Sequence, residues 1–328
     1  MQKVALAVVV IGRNEGKRLA MCLASIASIG AVIYVDSASS DDSVAIARRM
    51  GAEIVELDPA TPLTAARGRN AGAFRALEND PGIEFIQFVD GDCTIREGWL
   101  TKAVSFLARH PNVAVVCGRR FERYPHYSIY NAICQQEWNT PVGEADACGG
   151  DSLVRASAFK NVGGFADDQV AHEEPEFCAR LRSAGWLIWR IDEPMTDHDA
   201  AMYRIGQFYR RSQRAGLGIS QCIDRGGASR DRQGQAIVRR AMLWAVVLPV
   251  LICVGLFFSP ILSVTLIALY PAQILRNALR NWRKGWPLRQ SLQVAALSTI
   301  SKFAEAQGAL TYRYRRISGR SIIPILTK

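Results

Sequence analysis

One stretch constrains the fold more than any other, a short apolar run that ends in two carboxylates. Residues 85–93 read FIQFVDGDC, so four large apolar side chains precede Asp90, Gly91 and Asp92. Such a run is typical of a strand buried on both faces of a parallel sheet, and open α/β sheets bind ligands at the carboxyl ends of their strands. Two carboxylates joined by a glycine suit a hard divalent cation with positions open for diphosphate oxygens. Considered alone, the motif is also compatible with an ordinary Asp-Gly turn.

The N-terminal two thirds of the chain alternates between predicted strands and helices. The predicted strands are residues 4–11, 32–35, 53–57 and 113–117, with helices that include residues 64–78 and 97–109. This alternation predicts an α/β fold with a mostly parallel sheet sandwiched by helices. The first apolar run is short and lacks a cleavage site, which favours a strand over a signal peptide. The sheet would carry three polar clusters to one edge, namely Asn14 with Glu15, Asp36, and Asp90 with Asp92.

Charge divides the chain into two predicted domains. Residues 236–328 contain thirteen basic residues and one acid, Glu305, whereas residues 1–235 sum to a charge of −2. We therefore predict a catalytic domain over residues 1–235 and a basic, membrane-anchoring helical region over residues 236–328. Positive charge on an apolar region favours anionic head groups over nucleic acid as the partner. Eight cysteines without a C-x-x-C pair indicate reduced thiols and a cytoplasmic catalytic domain.

A long apolar segment lies within the C-terminal region. Residues 241–275 hold no charged side chain, and Ser259-Pro260 interrupts them. A single spanning helix needs about 20 residues, so this segment predicts a hairpin of two short membrane segments. Basic residues at both ends place both flanks in the cytoplasm and the chain at the inner membrane. A buried hairpin in a soluble protein is the alternative, and residues 291–310 predict a helix at the membrane surface.

An acidic cluster supplies candidates for proton transfer. Glu173, Glu174 and Glu176 lie within four residues at the start of a predicted helix. Their mutual repulsion would raise the pKa of at least one carboxyl toward that of a general base. The helix dipole alone also favours acids at this position, and the sequence is equally compatible with that explanation. His198 lies between two aspartates, a position that is compatible with a hydrogen-bonded scaffold.

The order and spacing of several short motifs resemble glycosyltransferase family 2, which has the GT-A fold. The resemblance covers about residues 4–215 and rests on residues 8–15 (VVVIGRNE), 35–41 (VDSASSD), 67–70 (RGRN), 89–92 (VDGD), 149–151 (GGD), 163–165 (GGF) and 173–181 (EEPEFCARL). It implies an inverting enzyme that transfers a sugar from a nucleotide-diphosphate donor to a lipid-linked or glycan acceptor. Membrane-associated members of this type make bacterial exopolysaccharides and glycolipids.

The resemblance also implies roles for individual residues. Glu174 takes the place of the family's catalytic aspartate, with Glu173 or Glu176 as alternative bases. A divalent cation, Mg²⁺ or Mn²⁺, would be bound by Asp90, Asp92 and His198. The implied donor-binding residues are Arg13, Asn14, Glu15, Asp36, Arg69, Asp90, Asp151, Arg210 and Arg211. Residues 207–211 resemble a Gln-x-x-Arg-Trp motif of processive synthases but lack the tryptophan, which counts against processive synthesis.

Two other functions fit part of the sequence. Residues 90–94 (DGDCT) also match the nucleophile motif of haloacid-dehalogenase-type phosphatases, in which Asp90 would accept the phosphoryl group. Those enzymes place the motif on their first strand, whereas three strand-helix units precede it here. A non-catalytic, membrane-anchored protein that binds nucleotide sugars would keep the same binding motifs. A dinucleotide dehydrogenase is disfavoured, because no G-x-G-x-x-G follows the first predicted strand.

Overall fold

The computed structural model describes residues 5–226 and 232–325, and the chain divides into two compact units. One unit comprises the residues up to Pro125 together with Cys134–Ala201. The other comprises His126–Ile133 and the residues from Met202 onward, so the boundary predicted at residue 235 falls inside the second unit. The predicted start of the first strand at residue 4 lies outside the described residues.

A nine-stranded mixed sheet forms the centre of the first unit. Its strands run in the order β3-β2-β1-β4-β8-β6-β9-β5, with β7 paired to β9. In chain order they are β1 (Leu6–Gly12), β2 (Ala31–Asp36), β3 (Glu53–Glu56), β4 (Phe85–Asp90), β5 (Cys93–Ile95), β6 (Val113–Glu122), β7 (Gly143–Glu144), β8 (Ser152–Arg155) and β9 (Leu187–His198).

The parallel part of the sheet carries the predicted polar edge. Strands β3, β2, β1 and β4 are parallel neighbours, and their register pairs Gly12 with Asp36 and Ile11 with Asp90. The predicted α/β fold is confirmed, but the sheet is mixed rather than mostly parallel. Strand β8 runs antiparallel to both β4 and β6, and β5 and β7 each run antiparallel to β9. Both aspartates therefore end up at one edge, as the strand pattern predicted.

Seven helices of the described chain fall between these strands. They are α1 (Lys17–Ala24), α2 (Ser43–Arg49), α3 (Ala65–Asn79), α4 (Trp99–Arg109), α5 (Ile129–Glu137), α6 (Ala156–Asn161) and α7 (Glu173–Ser183). Helix α7 is fixed to the core by Phe177, whose ring stacks on Phe165 with centroids 4.3 Å apart. Helix α3 is capped by Thr64, whose side chain accepts a hydrogen bond from the backbone N–H of Arg67 (3.1 Å).

The second unit consists mainly of long helices. They are α8 (Ile205–Asp224), α9 (Arg232–Met242), α10 (Leu248–Phe258), α11 (Pro260–Arg283) and α12 (Leu288–Ile317), with a π-helical turn at Leu243–Val247. Helices α8 and α12 pack closely, because Gly216 faces the backbone of Glu305 and Gly308 faces the backbone of Gln213. The predicted surface helix at residues 291–310 is thus part of a longer helix with one face covered by α8.

The apolar segment folds into two helices, as its composition predicted. The break falls at Ser259, whose hydroxyl accepts a hydrogen bond from the backbone N–H of Leu262 (3.4 Å) and caps α11. The helices on either side of the break, Arg232–Phe258 and Pro260–Arg283, have 27 and 24 residues, and each is long and apolar enough to cross a membrane. They extend further than the two short segments predicted. Phe257, Phe258 and Ile261 at the break are more than 80% exposed.

Candidate active site

The loops after β1 and β2 join into one polar wall. Asn14 has a left-handed backbone, and its N–H donates to the hydroxyl of Ser39 (2.9 Å) while its side-chain oxygen accepts from the N–H of Ser40 (2.7 Å). Asp36 is buried and accepts hydrogen bonds from the hydroxyl of Tyr34 (2.8 Å) and the N–H of Ser39 (2.7 Å). These hydrogen bonds join the two loops through Ser39 and Ser40.

The other two predicted residues of this wall lie on the β1 loop. The backbone N–H of Glu15 donates to the hydroxyl of Ser43 (3.1 Å), and its carboxylate forms an ion pair with Arg18 (2.6 Å). Arg13 is exposed. The structure therefore brings Asn14, Glu15 and Asp36 together and leaves Arg13 at the rim.

A buried guanidinium organises the carboxylates at the end of β4. Arg69 on α3 is 2% exposed and forms ion pairs with Asp90 (3.0 Å), Glu173 (2.8 Å) and Glu174 (3.4 Å). A cation buried this deeply is stable only with carboxylate partners, and the carboxylates need it in turn. Arg69 was predicted to bind the donor. Three carboxylates surround its guanidinium, and its role in donor binding stays a prediction.

The three acids at the start of α7 have different environments. Glu173 is buried against Arg69, and Glu176 forms a two-pronged ion pair with Arg180 (2.7 and 2.8 Å). Glu174 is half-buried and is the most loosely held of the three, at 3.4 Å from Arg69. A general base needs a carboxylate that can accept a proton. The looser contact favours Glu174 among the three predicted candidates, and the choice stays a prediction.

The pKa of Glu174 supports this assignment. Burial, reinforced by the neighbouring carboxylate of Glu173, raises the pKa of Glu174 to about 7, although Arg69 opposes the shift. A base with a pKa near the working pH combines a large deprotonated fraction with a strong tendency to take up the proton. The predicted effect of repulsion within the acidic cluster is therefore present, but burial is the larger cause.

Asp151 is hydrogen-bonded to the backbone of Asp90. Its side chain is fully buried, accepts hydrogen bonds from the backbone N–H of Asp90 (3.1 Å) and the hydroxyl of Thr196 (2.7 Å), and forms an ion pair with Arg120 (2.8 Å). Burial alone would raise the pKa of Asp151, but Arg120 and these hydrogen bonds outweigh burial and lower it. These contacts fix the position of Asp151 beside Asp90, and its role in donor binding stays a prediction.

Two overlapping groups of side chains have the spacing of a metal site. The ligand atoms of Asp92, Cys93 and His198 lie within 4.8 Å of one another, and so do those of Asp90, Cys93 and Asp151. Burial, with the nearby carboxylates, raises the pKa of the Cys93 thiol. A protonated thiol is a poor ligand for a hard cation, whereas carboxylate oxygens and imidazole nitrogen suit Mn²⁺, and oxygens suit Mg²⁺. The donor set around Asp92 and His198 therefore fits the predicted divalent cation.

His198 lies on β9, near two carboxylates and one tryptophan ring. The register of β5 and β9 pairs it with Cys93, and its Nε2 lies 3.4 Å from a carboxylate oxygen of Asp92. Its Nδ1 lies 3.7 Å from Glu122, and the ring of Trp138 meets its ring edge-on at 4.7 Å. The distance from Nδ1 to Glu122 is longer than a hydrogen bond, so the strand and the Trp138 ring, rather than Glu122, position the imidazole.

Several residues of the site were missed by the sequence analysis. Arg120, whose guanidinium lies over the ring of Trp138 at 5.3 Å, and Thr196 both contact Asp151. Neither belongs to a motif, and both reach the site because β6 and β9 are neighbours in the sheet. Their approach depends on strand pairing between distant segments, for which the local sequence has no signal.

Gly150 is needed for the close approach of the site's charged groups. A Cβ at this position would overlap a guanidinium nitrogen of Arg69 and lie 2.9 Å from Asp90 and 3.1 Å from Glu174. The adjacent Gly149 has open space around the same position. The paired glycines of the GGD motif therefore have different roles, and only Gly150 is required by packing.

The last two predicted donor-binding residues belong to the second unit. Arg210 is exposed and Arg211 is half-buried, both on helix α8. Their role in donor binding stays a prediction.

Comparisons with known proteins agree with the geometry of the first unit. Residues 7–163 match the model of glycosyl transferase family 2. Glycosyltransferase AglE of Haloferax volcanii is 22% identical over 219 residues, which cover 63% of this chain and 70% of AglE. The O-antigen chain rhamnosyltransferase WbaN of Salmonella anatum is 24% identical over 180 residues, 51% of this chain and 56% of WbaN.

A solved structure extends the likeness to most of the chain. The mannosyltransferase PcManGT of Pyrobaculum calidifontis, solved in complex with GDP-Man and Mn²⁺, superimposes with a TM-score of 0.58 at 18% identity. The superposition covers 92% of this chain and 88% of PcManGT, which confirms the predicted GT-A type of fold. Together these findings identify the chain as a glycosyltransferase, in which residues 7–163 match glycosyl transferase family 2.

Proposed function

We propose that the chain transfers a sugar, with inversion at the anomeric carbon, from a nucleotide-diphosphate donor to a hydroxyl of a lipid-linked or glycan acceptor. The observation that carries this proposal is the environment of Glu174. Its carboxyl has a pKa of about 7 and lies beside the same guanidinium that holds Asp90 at the end of β4. A base is thus next to the residues proposed to hold the donor.

The donor would lie against the edge formed by β1, β2 and β4. Asn14, Glu15 and Asp36 line one wall and are proposed to contact the nucleoside. Asp92 and His198, with Asp90 beside them, would hold Mg²⁺ or Mn²⁺, which would neutralise charge on the departing diphosphate. PcManGT was solved with a nucleotide sugar and Mn²⁺, which supports this donor class and a divalent cation.

Glu174 would act directly on the acceptor. Its carboxylate takes the proton of the acceptor hydroxyl as the oxygen forms a bond to the anomeric carbon, while the bond from that carbon to the diphosphate oxygen breaks. A single displacement of this kind inverts the configuration of the sugar. Glu173, which forms an ion pair with Arg69, helps to raise the pKa of Glu174 toward neutrality.

We further propose that the acceptor is carried at the cytoplasmic face of a membrane. Two helices are long and apolar enough to cross one, and their large side chains at the Ser259 turn are exposed. The basic residues on both sides favour a cytoplasmic location for both ends. WbaN acts on O-antigen chains according to its name, which supports a glycan or lipid-linked glycan as the acceptor class.

The test is a transfer assay with purified full-length protein, a panel of labelled nucleotide sugars and a membrane lipid extract. We expect one donor to label a lipid or glycan product, with activity that is lost on chelation and restored by Mn²⁺ or Mg²⁺. Asp92→Ala should reduce turnover by about 100-fold or more, because charge on the leaving group would go unbalanced. Full activity of Asp92→Ala in the presence of a chelator would contradict the metal role.

A further inference from the structure

A cluster of cations lies at the C-terminal end of α11, in the second unit. Arg276, Arg280, Arg283 and Lys284 line a shallow cavity of about 390 Å³ together with Leu279. All four cationic side chains are exposed, and α11 contains no acidic residue. We refer to these four residues as the α11 basic cluster.

The helix dipole explains only part of this cluster. Cations are favoured within the last turn of a helix, where Arg280 and Arg283 lie. Arg276 lies about two turns before the end, beyond the reach of that effect. It also shares a face with Arg280 and Lys284 at a spacing of four residues, where like charges repel one another. An anion bound between them would remove this repulsion.

An exposed apolar stripe runs beside the cluster. Leu275, Leu279 and Trp282 follow one another at helical spacing and are 56%, 38% and 54% exposed. Tryptophan is enriched where a membrane helix meets the head groups. The last two turns of α11 therefore present apolar side chains next to cations.

The α11 basic cluster and the apolar stripe together favour a ligand that has both a negative charge and an apolar part. A nucleic acid or a free phosphate ion would neutralise the cations but leave Leu275, Leu279 and Trp282 in water. An anionic glycerophospholipid supplies both parts, a phosphate for the cations and acyl chains for the stripe. Clusters of basic residues immediately beside a membrane helix typically bind such head groups.

We propose that the end of α11 is a binding site for one anionic glycerophospholipid, with its phosphate held by the α11 basic cluster. The site rests on the membrane association in the proposed function, and it adds a preference for lipid charge that an apolar hairpin alone would not have. The lipid anchors α11 at the depth of the head groups.

The test is native mass spectrometry of the full-length protein in mild detergent, titrated with phosphatidylglycerol or with phosphatidylcholine of the same acyl chains. We expect phosphatidylglycerol to bind at least tenfold more tightly. Arg276→Gln/Arg280→Gln should weaken phosphatidylglycerol binding by about 30-fold, from the loss of two head-group contacts. Arg276→Lys/Arg280→Lys keeps the charge and should retain most of the affinity, which separates loss of charge from loss of fold.

The matched control removes the same charge elsewhere. Arg48 and Arg49 are exposed at the end of α2, so Arg48→Gln/Arg49→Gln should bind phosphatidylglycerol as the wild type does. Equal binding of the two lipids, or wild-type affinity in Arg276→Gln/Arg280→Gln, would overturn the site. Displacement of the lipid by an equimolar amount of inorganic phosphate would also overturn it, because the apolar stripe would then contribute nothing.

Alkaline extraction of membranes separates this inference from the proposed function. If wild-type protein is not retained in the membrane fraction, the proposed membrane association and the lipid site both fail. If the protein is retained but has no preference for the anionic lipid, only the lipid site fails.

Discussion

Glu174 is the residue on which the proposed chemistry depends, and its pKa gives a direct prediction. Because the base acts in its deprotonated form and its pKa is raised to about 7, kcat/KM should fall about tenfold per pH unit below 7 and level off above it. An unperturbed glutamate, with a pKa of about 4.3, would give a flat profile across this range.

A substitution at Glu173 tests the cause of that raised pKa. Glu173→Gln removes a neighbouring negative charge and frees Arg69 to act on Glu174. Both changes favour the deprotonated form, so the midpoint of the kcat/KM profile should move to lower pH. A midpoint that stays in place or moves upward would contradict this electrostatic account.

The adjacent residues Gly150 and Gly149 allow a comparison of two alanine substitutions, one at a crowded position and one at an open position. Gly150→Ala would push a methyl group into Arg69, Asp90 and Glu174. Displacing catalytic groups by about 1 Å can cost about 100-fold in rate, and we expect a loss of that order in kcat. Gly149→Ala meets open space and should stay within about twofold of the wild type, as most substitutions away from packed sites do. Equal activity of the two variants would show that the close approach at Gly150 is unimportant.

At the scale of helices, the contact between α8 and α12 makes a second matched pair possible. Gly216→Ala would place a Cβ against the carbonyl oxygen of Glu305, and overpacking of this kind costs about 1–3 kcal/mol. Gly206, on the same helix, has only the end of the Arg210 side chain nearby, at 3.7 Å. Gly206→Ala should therefore be neutral or stabilise the protein by about 0.5–1 kcal/mol.

Thermal unfolding of the full-length protein in mild detergent measures both effects. We expect a lower melting temperature for Gly216→Ala and an unchanged or higher one for Gly206→Ala. An unchanged melting temperature for Gly216→Ala would mean that α8 and α12 can separate without cost.

For the three acids of α7, the sequence was enough to predict that they cluster but not which of them is the base. The sequence predicted that three carboxylates would cluster and that at least one would have a raised pKa. It left open which of them acts as the base, because Arg69, the partner of Glu173, lies on another helix, α3. The partner of Glu176 is Arg180, four residues further along α7.

For the whole molecule, the local pattern was enough to predict the fold class and the polar edge. Buried apolar runs that end in Asp36 and Asp90 become neighbours because parallel strands carry their carboxyl ends to one side. The antiparallel strand β8 and the support of Asp151 by Arg120 and Thr196 were not predicted, because they depend on pairing between distant segments. Residues 7–163, which include Asp90, match glycosyl transferase family 2, so the interpretation of Asp90 as a phosphatase nucleophile is wrong.

The central claim is that Glu174 acts as the base and that the neighbouring donor site does not depend on the Glu174 carboxylate. The most direct measurement compares donor binding and sugar transfer by the wild type and by Glu174→Gln, as full-length protein with the same nucleotide sugar and cation. We predict a donor Kd within about twofold of the wild type and transfer slower by about 100- to 10,000-fold. Unchanged transfer by Glu174→Gln, or loss of donor binding together with activity, would contradict the account.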